Sequence, residues 1–505
     1  MNIKDAIMFN EESKTLSIFA DIIFTEDKSP FCDDVKHLYI GEDVSSLNLL
    51  NLFYFHKLES ITIHPDNRTY HSVNNCMIDT KCKKLILACN NSIIPDDDSV
   101  ETIQSFAFKS SEPLRISIPR SIRCIEKPAF TCLIESISVD PQNIYFEVIN
   151  DCLIDKANKT LLVSFGDGPI PEDKCVRIIG EEAFSGNSDL TRIHIPENIR
   201  IIEKNAFRDC ENLQYVKFSE GLRSIQVNAF CNCRRLHNFV FPDSLEEIED
   251  FSFGSCYLLT DIKIPKNTQY ISAGAFDYCR NLQSITVDPD NQYYKIIDNC
   301  LVDSVSDYLI WGSYCSKIPF GTKSIERYAF AECEDLYKII IPDSVSVISN
   351  NAFADCDNLE HVYIPNTVNQ IGYEAFSGCT ILKNIELPSN ISRIESRAFE
   401  YCCSLESIEI PGNVKSIEEC AFVFCDSLKM VNITEGVESI GEGAFSYCKA
   451  LEIMYIPESV KYIHPKAFRE TECATFVVKS GSYAERYVKE LINVCPENCY
   501  TIKIK

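Results

Sequence analysis

A repeat of 23 residues constrains the fold of this chain more than any other feature of its sequence. Phenylalanine recurs at this spacing, and the residues around each phenylalanine recur with it. The segments that begin at Ser324 and Ser416 read SIERYAFAECEDLYKIIIPDSVSV and SIEECAFVFCDSLKMVNITEGVES. The repeat phenylalanines are Phe184, Phe207, Phe230, Phe253 and Phe276, followed by Phe330, Phe353, Phe376, Phe399, Phe422, Phe445 and Phe468.

The aliphatic residues inside each repeat have the spacing L-x-x-I-x-I, as in Leu405, Ile408 and Ile410. A period of about 20 to 29 residues with this spacing is typical of a leucine-rich repeat solenoid, whose stacked coils share one continuous core. We therefore predict a mainly-β leucine-rich repeat solenoid that is capped at both ends. A parallel sheet is expected on one face, with turns or short helical turns on the other.

The residues after each strand predict how a coil turns. Proline follows the strand directly, as at Pro411, and ends the ladder because it has no N–H to donate. A small polar residue comes two positions later, as at Asn413, where its side chain can satisfy backbone groups. The following pair Ala421 and Phe422 suits a tight turn against the core.

Insertions interrupt the repeat. The gaps from Phe130 to Phe184 and from Phe276 to Phe330 are 54 residues, which is one period plus 31 residues. Three segments share a corner of the form x-Pro-x-Asn, which includes Asn67, Asn143 or Asn291, and each continues into an apolar run. We interpret each segment as a β-hairpin that projects from, or widens, one coil. Calcium is disfavoured at the corners because they offer three or four oxygens, whereas calcium takes about six to eight.

These observations give a domain plan. An N-terminal cap is expected at residues 1–34, a repeat array at 35–468 and a C-terminal cap at 469–505. The three inserted β-hairpin modules are expected at about 62–100, 138–178 and 286–322. In the C-terminal cap, Ser482 and Glu485 have the spacing of a capping box, which predicts a helix to about Ile492 and a last strand near Thr501.

The charge of the chain excludes some partners. The formal net charge is −26, and a nucleic-acid ligand or an anionic membrane surface requires a basic face that this sequence lacks. No window of 18 apolar residues predicts a membrane span. The N-terminus has no apolar core after a basic start, so it does not resemble a signal peptide, and a cytoplasmic location is expected. We also expect a monomer.

The chain has 26 cysteines, ten of which follow a repeat phenylalanine by three residues. One repeat position points the same way in every coil, so these cysteines should form a buried ladder of compact side chains. Without a secretion signal we interpret them as reduced thiols. The ladder cysteines are Cys210, Cys233, Cys256, Cys279, Cys333, Cys356, Cys379, Cys402, Cys425 and Cys448.

The motif A-F-x-x-C-x-x-L-x-x-I-x-I-P resembles the BspA-type leucine-rich repeat family. One copy of the motif includes Phe353, Cys356, Leu359 and Pro365. The resemblance covers about residues 35–468, and the tail GSYAERYVKEL from Gly481 is similar to the usual ending of the family. It implies a solenoid fold and a role in adhesion to host matrix or to other cells. This sequence departs from the family pattern, because it lacks the expected signal peptide and a wall or membrane anchor.

Chemistry is not indicated by any motif. The sequence has no Walker loop, no G-x-G-x-x-G, no H-E-x-x-H, no G-x-S-x-G and no C-x-x-C pair. His56, His64 and His71 form the one suggestive histidine group, and strand and turn positions explain it better than metal binding. We therefore predict a non-enzymatic protein without a cofactor or a metal.

A binding surface is what a repeat array offers. The third and fifth positions of L-x-x-I-x-I face solvent on the sheet side, and curved solenoids bind ligands with this face. We predict a protein ligand; the adhesin version follows from the resemblance, and an intracellular scaffold follows from the missing leader and the thiols. A remote alternative is an enzyme whose site is formed by the inserted hairpins. The residues predicted for the partner-binding face are Tyr215, Lys217, Asp261, Lys263, Lys338, His361, Tyr363, Glu386 and Tyr455.

Overall fold

The structure is a computed structural model. It describes residues 6–21, 34–47, 55–108, 112–130, 132–166, 168–172, 175–471, 473–494 and 498–505. The chain divides into two compact units, Met1–Cys231 and Asn232–Lys505, which are described separately. Each unit is a mainly-β solenoid of stacked coils, and the predicted fold class is confirmed.

The L-x-x-I-x-I segment of most coils forms a strand, called here a long strand. In Ser407–Ile410 the side chains of Ile408 and Ile410 are buried, whereas Glu409 is exposed. This strand pairs in parallel with Met430–Ile433 of the next coil, 23 residues later. The long strands of the first unit are Thr15–Ile18, His37–Ile40, Ser60–Ile63, Leu114–Ile118, Ile134–Val139, Arg192–Ile195 and Tyr215–Phe218. Those of the second unit are Asp261–Ile264, Ser284–Val287, Lys338–Ile340, His361–Tyr363, Ser407–Ile410, Met430–Ile433, Ile453–Ile456, Thr475–Val478 and Thr501–Ile504.

A second ladder consists of two-residue strands, called here short strands, which come before the Ala-Phe pair. Ser416–Ile417, for example, pairs in parallel with Ser439–Ile440 of the next coil. The short strands of the first unit are Thr102–Ile103, Cys124–Ile125, Ile178–Ile179, Ile201–Ile202 and Ser224–Ile225. Those of the second unit are Glu247–Ile248, Tyr270–Ile271, Ser324–Ile325, Val347–Ile348, Gln370–Ile371, Arg393–Ile394, Ser416–Ile417, Ser439–Ile440 and Tyr462–Ile463.

The Ala-Phe turn forms a third ladder, although it is not a strand. In the coil of Phe353, the flanking residues Asn351 and Asp355 have left-handed φ angles of 56° and 55°. This alternation points the N–H groups of Asn351, Phe353 and Asp355 toward the next coil. They donate at 2.7–2.9 Å to the carbonyl groups of Tyr373, Ala375 and Ser377, respectively.

The repeat phenylalanines stack along the core. From Phe330 to Phe468, successive ring centroids lie between 5.1 and 6.0 Å apart, and the planes of neighbouring rings differ by 3–13°. Phe353, Phe376, Phe399, Phe422 and Phe445 are fully buried. Burial of each ring contributes about 1.5–3 kcal/mol, to which stacking adds about 0.5–1.5 kcal/mol.

The predicted turn after the strand is confirmed by its hydrogen bonds. The Asn413 amide donates to the Ser389 carbonyl of the preceding coil (2.5 Å). At the insertion corners the asparagine makes more bonds: the Asn291 amide donates to two carbonyls of the preceding coil, and its Oδ1 accepts from the N–H groups of Tyr293 and Tyr294. The amide oxygen proposed as a calcium ligand is therefore engaged in the turn.

Each of the three inserted segments contains three antiparallel strands, where we expected a two-stranded hairpin. The third strand turns back into the solenoid: in the third segment, Tyr308–Trp311 pairs in parallel with the short strand Ser324–Ile325. We call these segments the inserted meanders. Their strands are Tyr70–Val73, Cys76–Asp79 and Lys84–Ala88; Phe146–Ile149, Cys152–Asp155 and Thr160–Ser164; and Tyr294–Ile297, Cys300–Asp303 and Tyr308–Trp311.

The two ends of the chain cover the long strands. Ile7–Asn10 pairs antiparallel with Thr15–Ile18 at one end. At the other end, the helix Tyr483–Val494 precedes the strand Thr501–Ile504, which pairs in parallel with Thr475–Val478. The Ser482 hydroxyl accepts from the Glu485 N–H (3.1 Å), as the capping-box spacing predicted. Within the described residues, no helix has the length and apolar character that crossing a membrane requires.

Candidate functional site

The residues predicted for the partner-binding face are distributed over both units. Tyr215 and Lys217 lie in the first unit, on the exposed side of Tyr215–Phe218, and the other seven residues lie in the second unit. All are exposed except Tyr455, which is half-buried. The Lys505 ammonium lies 4.7 Å from the Tyr455 ring centroid and covers part of that side chain. Glu386 lies in the same column of the repeat but outside a strand.

Asp261 and Lys263 are engaged with neighbouring coils. The Asp261 carboxylate accepts hydrogen bonds from the hydroxyls of Ser284 (2.5 Å) and Thr260 (2.8 Å), and these bonds lower the pKa of Asp261. The Lys263 ammonium forms an ion pair with Asp288 at 2.9 Å. A ligand would have to compete with these contacts, so this part of the face is a weak candidate.

Lys338, His361 and Tyr363 come together on two adjacent long strands. Lys338–Ile340 and His361–Tyr363 pair in parallel, with Lys338 opposite His361 and Ile340 opposite Tyr363. Tyr337 lies next to the first strand. Three large side chains are more than half exposed here: Tyr337 (53%), Ile340 (56%) and Tyr363 (56%). We call Tyr337, Lys338, Ile340, His361 and Tyr363 the strand-face patch.

Polar contacts hold the side chains of the strand-face patch in place. The edge of the Tyr337 ring meets His361, with centroids 5.3 Å apart and an interplanar angle of 87°, and the hydroxyl lies 3.3 Å from His361 Nε2. Glu360 accepts a hydrogen bond from the Lys383 ammonium (2.7 Å) and one from the Tyr337 hydroxyl, and both bonds lower its pKa. The sequence pattern selected Lys338, His361 and Tyr363 but missed Tyr337, which lies just outside the alternating positions.

The histidine group predicted from the sequence does not become a metal site by itself. His64 lies with Glu42 and Asp66, and the potential ligand atoms of these three residues are within 4.8 Å of one another. Both carboxylates are exposed, and His64 Nδ1 accepts from the Asp66 N–H (3.2 Å). His71 instead contacts the Thr80 hydroxyl at 2.8 Å. The group is an exposed acidic cluster with one histidine.

The cysteine ladder has a polar role that the sequence did not predict. The thiol of Cys356 donates to the Phe330 carbonyl of the preceding coil at 3.0 Å, and Cys379, Cys402, Cys425 and Cys448 repeat this contact at 3.2–3.3 Å. These five cysteines are buried free thiols. Burial raises their pKa values far above the ordinary value, so they remain protonated donors.

A cleft beside the third inserted meander was also missed by the sequence analysis. It has a volume of about 140 Å³, and its lining includes Trp311, Asp277 and Glu332. These residues are far apart in the repeat register and are brought together by the insertion. A column-by-column comparison of the repeats therefore had no means of finding the group.

Comparisons with known proteins agree with this geometry. The profile of the family described as BspA type leucine rich repeat region matches six copies, over residues 78–158, 177–306, 314–402 and 346–475. A comparison with curated proteins finds no match.

Solved structures share the fold at low sequence identity. A leucine rich cell surface protein from Faecalibacterium prausnitzii is 23% identical, with a TM-score of 0.51 over 85% of this chain and 92% of that chain. A leucine-rich repeat protein from Eubacterium ventriosum is 21% identical, with a TM-score of 0.53 over 63% of this chain and 92% of that chain. Identities this low concern the fold alone.

Proposed function

This chain belongs to the BspA-type leucine-rich repeat family, and from that premise we propose that it is a non-enzymatic module that binds another protein. The sheet side of its second unit is the proposed binding surface, with the strand-face patch at the centre of the contact.

The exposure of the strand-face patch carries this proposal. Large side chains scattered singly over a surface are ordinary, whereas adjacent exposed tyrosine and aliphatic side chains are typical of protein-binding surfaces. Tyr337, Ile340 and Tyr363 are adjacent on two paired strands, and each is more than half exposed. Tyrosine loses little conformational entropy on binding, and the contacts of Tyr337 with His361 and Glu360 already restrict its ring.

The charge beside the patch indicates the chemistry of the partner. Within the described part of the chain Lys338 forms no ion pair, although it lies next to the exposed rings. We propose that a partner offers an apolar side chain to Tyr337 and Tyr363 and a carboxylate to Lys338. A carboxylate paired with a partly desolvated lysine adds more to specificity than to affinity.

Cross-linking followed by mutagenesis tests the proposal. A photo-reactive amino acid in place of Ile340 captures the partner, and its binding to the purified chain is then measured. We expect the double change Tyr337→Ala and Tyr363→Ala to weaken binding at least 30-fold, since interface tyrosines are each worth about 1–2 kcal/mol or more.

The matched control is the double change Tyr308→Ala and Phe320→Ala, which removes exposed rings from the same unit outside the patch. The control should bind the partner as the unchanged chain does. Equal binding by the patch variant and the unchanged chain would refute the proposed surface.

The location of the protein decides where such a partner is sought. The family favours an adhesin at the cell surface, and the buried free thiols favour an intracellular scaffold. Labelling of intact cells with a membrane-impermeant biotin reagent, with a cytosolic protein as control, separates the two. Labelling of this protein alone would direct the search to matrix proteins and other cells. Protection of both proteins would exclude the adhesin role.

A further inference from the structure

The third inserted meander breaks the turn ladder of the second unit. In uninterrupted coils the N–H two residues after the repeat phenylalanine donates to the next coil, as Asp355 N–H does to the Ser377 carbonyl (2.7 Å). After Phe276 the equivalent N–H, that of Tyr278, bonds instead to the Asp277 carboxylate at 2.9 Å. The next coil receives its hydrogen bond from the meander, where the Gly312 N–H donates to the Ala329 carbonyl (2.8 Å). The break opens the cleft of about 140 Å³.

Four aromatic side chains line this cleft. Tyr278 comes from the coil before the meander, Trp311 and Tyr314 come from the meander, and Tyr328 comes from the coil after it. Tyr278 and Tyr314 keep a large exposed fraction, so the cleft is open to solvent. Its volume is well below the roughly 300 Å³ of the smallest drug-sized pockets, which restricts a ligand to the size of one side chain.

Asp277 is the buried polar group in this cleft. Its side chain is 5% exposed. One carboxylate oxygen accepts from the Tyr278 N–H, and the other is buried without a hydrogen-bond partner. Within the described residues, no other carboxylate oxygen is left in this state. A buried acceptor without a donor costs about 1–3 kcal/mol, which a ligand with a suitable donor would recover.

The arginines near Asp277 are occupied elsewhere. Arg280 forms a bidentate ion pair with Glu332, at 2.7 and 3.2 Å, and Arg327 pairs with Asp250 at 2.6 Å. Burial raises the pKa of Asp277 to about 8, the nearby Glu332 and Asp250 raise it further, and Arg327 lowers it. The surroundings of Asp277 therefore lack a positive charge and a donor.

We infer that this cleft binds a primary alkylammonium group, which donates to the free oxygen of Asp277 while its alkyl chain lies against the four aromatic rings. Ammonium groups bind well where a carboxylate and aromatic faces meet. A divalent cation is a poorer match because one free oxygen falls far short of its coordination needs. An anion is disfavoured by Asp277, Glu332 and Asp250. The inference is independent of the strand-face patch.

The cleft carries its own reporter, since Trp311 is the only tryptophan of the chain. Trp311 fluorescence is titrated with n-butylamine, and with n-butanol and butyrate as neutral and anionic probes of similar shape. We expect saturation by the amine with a Kd of about 0.1–1 mM, and binding of the other two at least 10-fold weaker. The amine affinity should rise from pH 6.5 to pH 9, because Asp277 ionises over this range while the amine remains charged.

Asp277→Asn is the test variant because it keeps the shape and removes the charge. It should lose at least 10-fold in amine affinity, and the amine should raise the Tm of the unchanged chain but not that of the variant. Glu334→Gln, which changes an exposed carboxylate on the cleft rim, is the matched control and should bind as the unchanged chain does.

Two further probes identify the source of the ammonium. Nα-acetyl-lysine methylamide represents a lysine side chain of a protein, and cadaverine represents a free diamine; saturation by either supports the inference, and their relative affinities assign the source. Equal responses to n-butylamine and n-butanol, or amine binding that Asp277→Asn leaves unchanged, would overturn it. The cleft would then be a water-filled gap.

Discussion

The uninterrupted coils from Ser324 to Phe468 and the boundary between Phe276 and Phe330 are built from the same repeat, but they differ in what they leave unsatisfied. In the uninterrupted coils, the turn N–H groups bond to the next coil and the rings stack on both sides. At the boundary, the meander restores the ladder only for the following coil, and Asp277 stays buried with a free oxygen. In a periodic fold, distinct chemistry arises where the period is broken.

The largest effect should separate the two regions through their phenylalanines. Phe376→Ala removes a fully buried ring stacked on both sides, and we expect a loss of about 3–5 kcal/mol in unfolding free energy. Phe276→Ala, whose ring stacks on Phe253 alone among the described rings, should cost about 2–3 kcal/mol. Urea unfolding followed by circular dichroism measures both.

Phe320→Ala serves as the control for these two changes, because its ring is 90% exposed and should contribute less than about 0.5 kcal/mol. Equal losses for Phe276→Ala and Phe376→Ala would show that the break in the ladder has no energetic consequence.

A pH-dependent effect should be confined to the boundary. Asp277 has a pKa of about 8 when folded, and an ordinary carboxyl has a pKa near 4 when unfolded. Between these values the folded state holds one more proton, so rising pH favours the unfolded state, by at most about 1.4 kcal/mol per pH unit. Relative to Asp277→Asn, the unchanged chain should therefore lose about 2 kcal/mol between pH 5 and pH 7.

The measurement is the urea midpoint of both proteins at the two pH values. Parallel pH profiles for the two proteins would contradict a buried, protonated Asp277. Asp357→Asn, which changes an exposed carboxylate of an uninterrupted coil, should give a profile parallel to that of the unchanged chain.

Ion pairs should distinguish the regions by a smaller amount. Arg280→Ala leaves the buried Glu332 carboxylate without its cation, and we expect a loss of about 1–2 kcal/mol, since the arginine is half exposed. Arg393→Ala breaks the more exposed pair with Glu395 in an uninterrupted coil and should cost less than about 0.5 kcal/mol. Thermal unfolding of both variants gives the comparison, and a larger loss for Arg393→Ala would reverse it.

The smallest predicted effect belongs to the cysteine ladder. Cys356→Ala removes the thiol that donates to Phe330, with an expected loss of about 1 kcal/mol, whereas the exposed Cys82→Ala should be neutral. Thiol labelling at pH 8 adds an independent measurement. Cys82, Cys124 and Cys315 should react in the folded chain, and buried Cys356 only after unfolding. Rapid labelling of Cys356 in the folded chain would contradict its burial.

The sequence predicted what depends on the period. The spacing of Leu405, Ile408 and Ile410 identified the strands and their buried side, and Ser482 with Glu485 identified the start of the helix. Tertiary pairing was less accessible: the third strand of each meander is an apolar run, and its pairing with Ser324–Ile325 depends on the neighbouring coil.

The candidate sites were predicted less completely. Alternation placed Tyr363 and His361 on the exposed face, but it could not show that Asp261 and Lys263 are bound to neighbouring side chains. Asp277 was out of reach because its surroundings come from an insertion that has no counterpart in the repeat.

The left-handed residues beside each Ala-Phe turn limit how the surface of this protein can vary. Their φ angles must stay near 55° for the N–H groups to reach the next coil, whatever their side chains contact. Among the described non-glycine residues in this conformation, none is valine, isoleucine or threonine, the residues for which it is least favourable. Exposed positions such as Asn351 and Tyr401 are therefore restricted by the backbone. A library of substitutions at these positions should deplete the β-branched residues with the 23-residue rhythm of the fold.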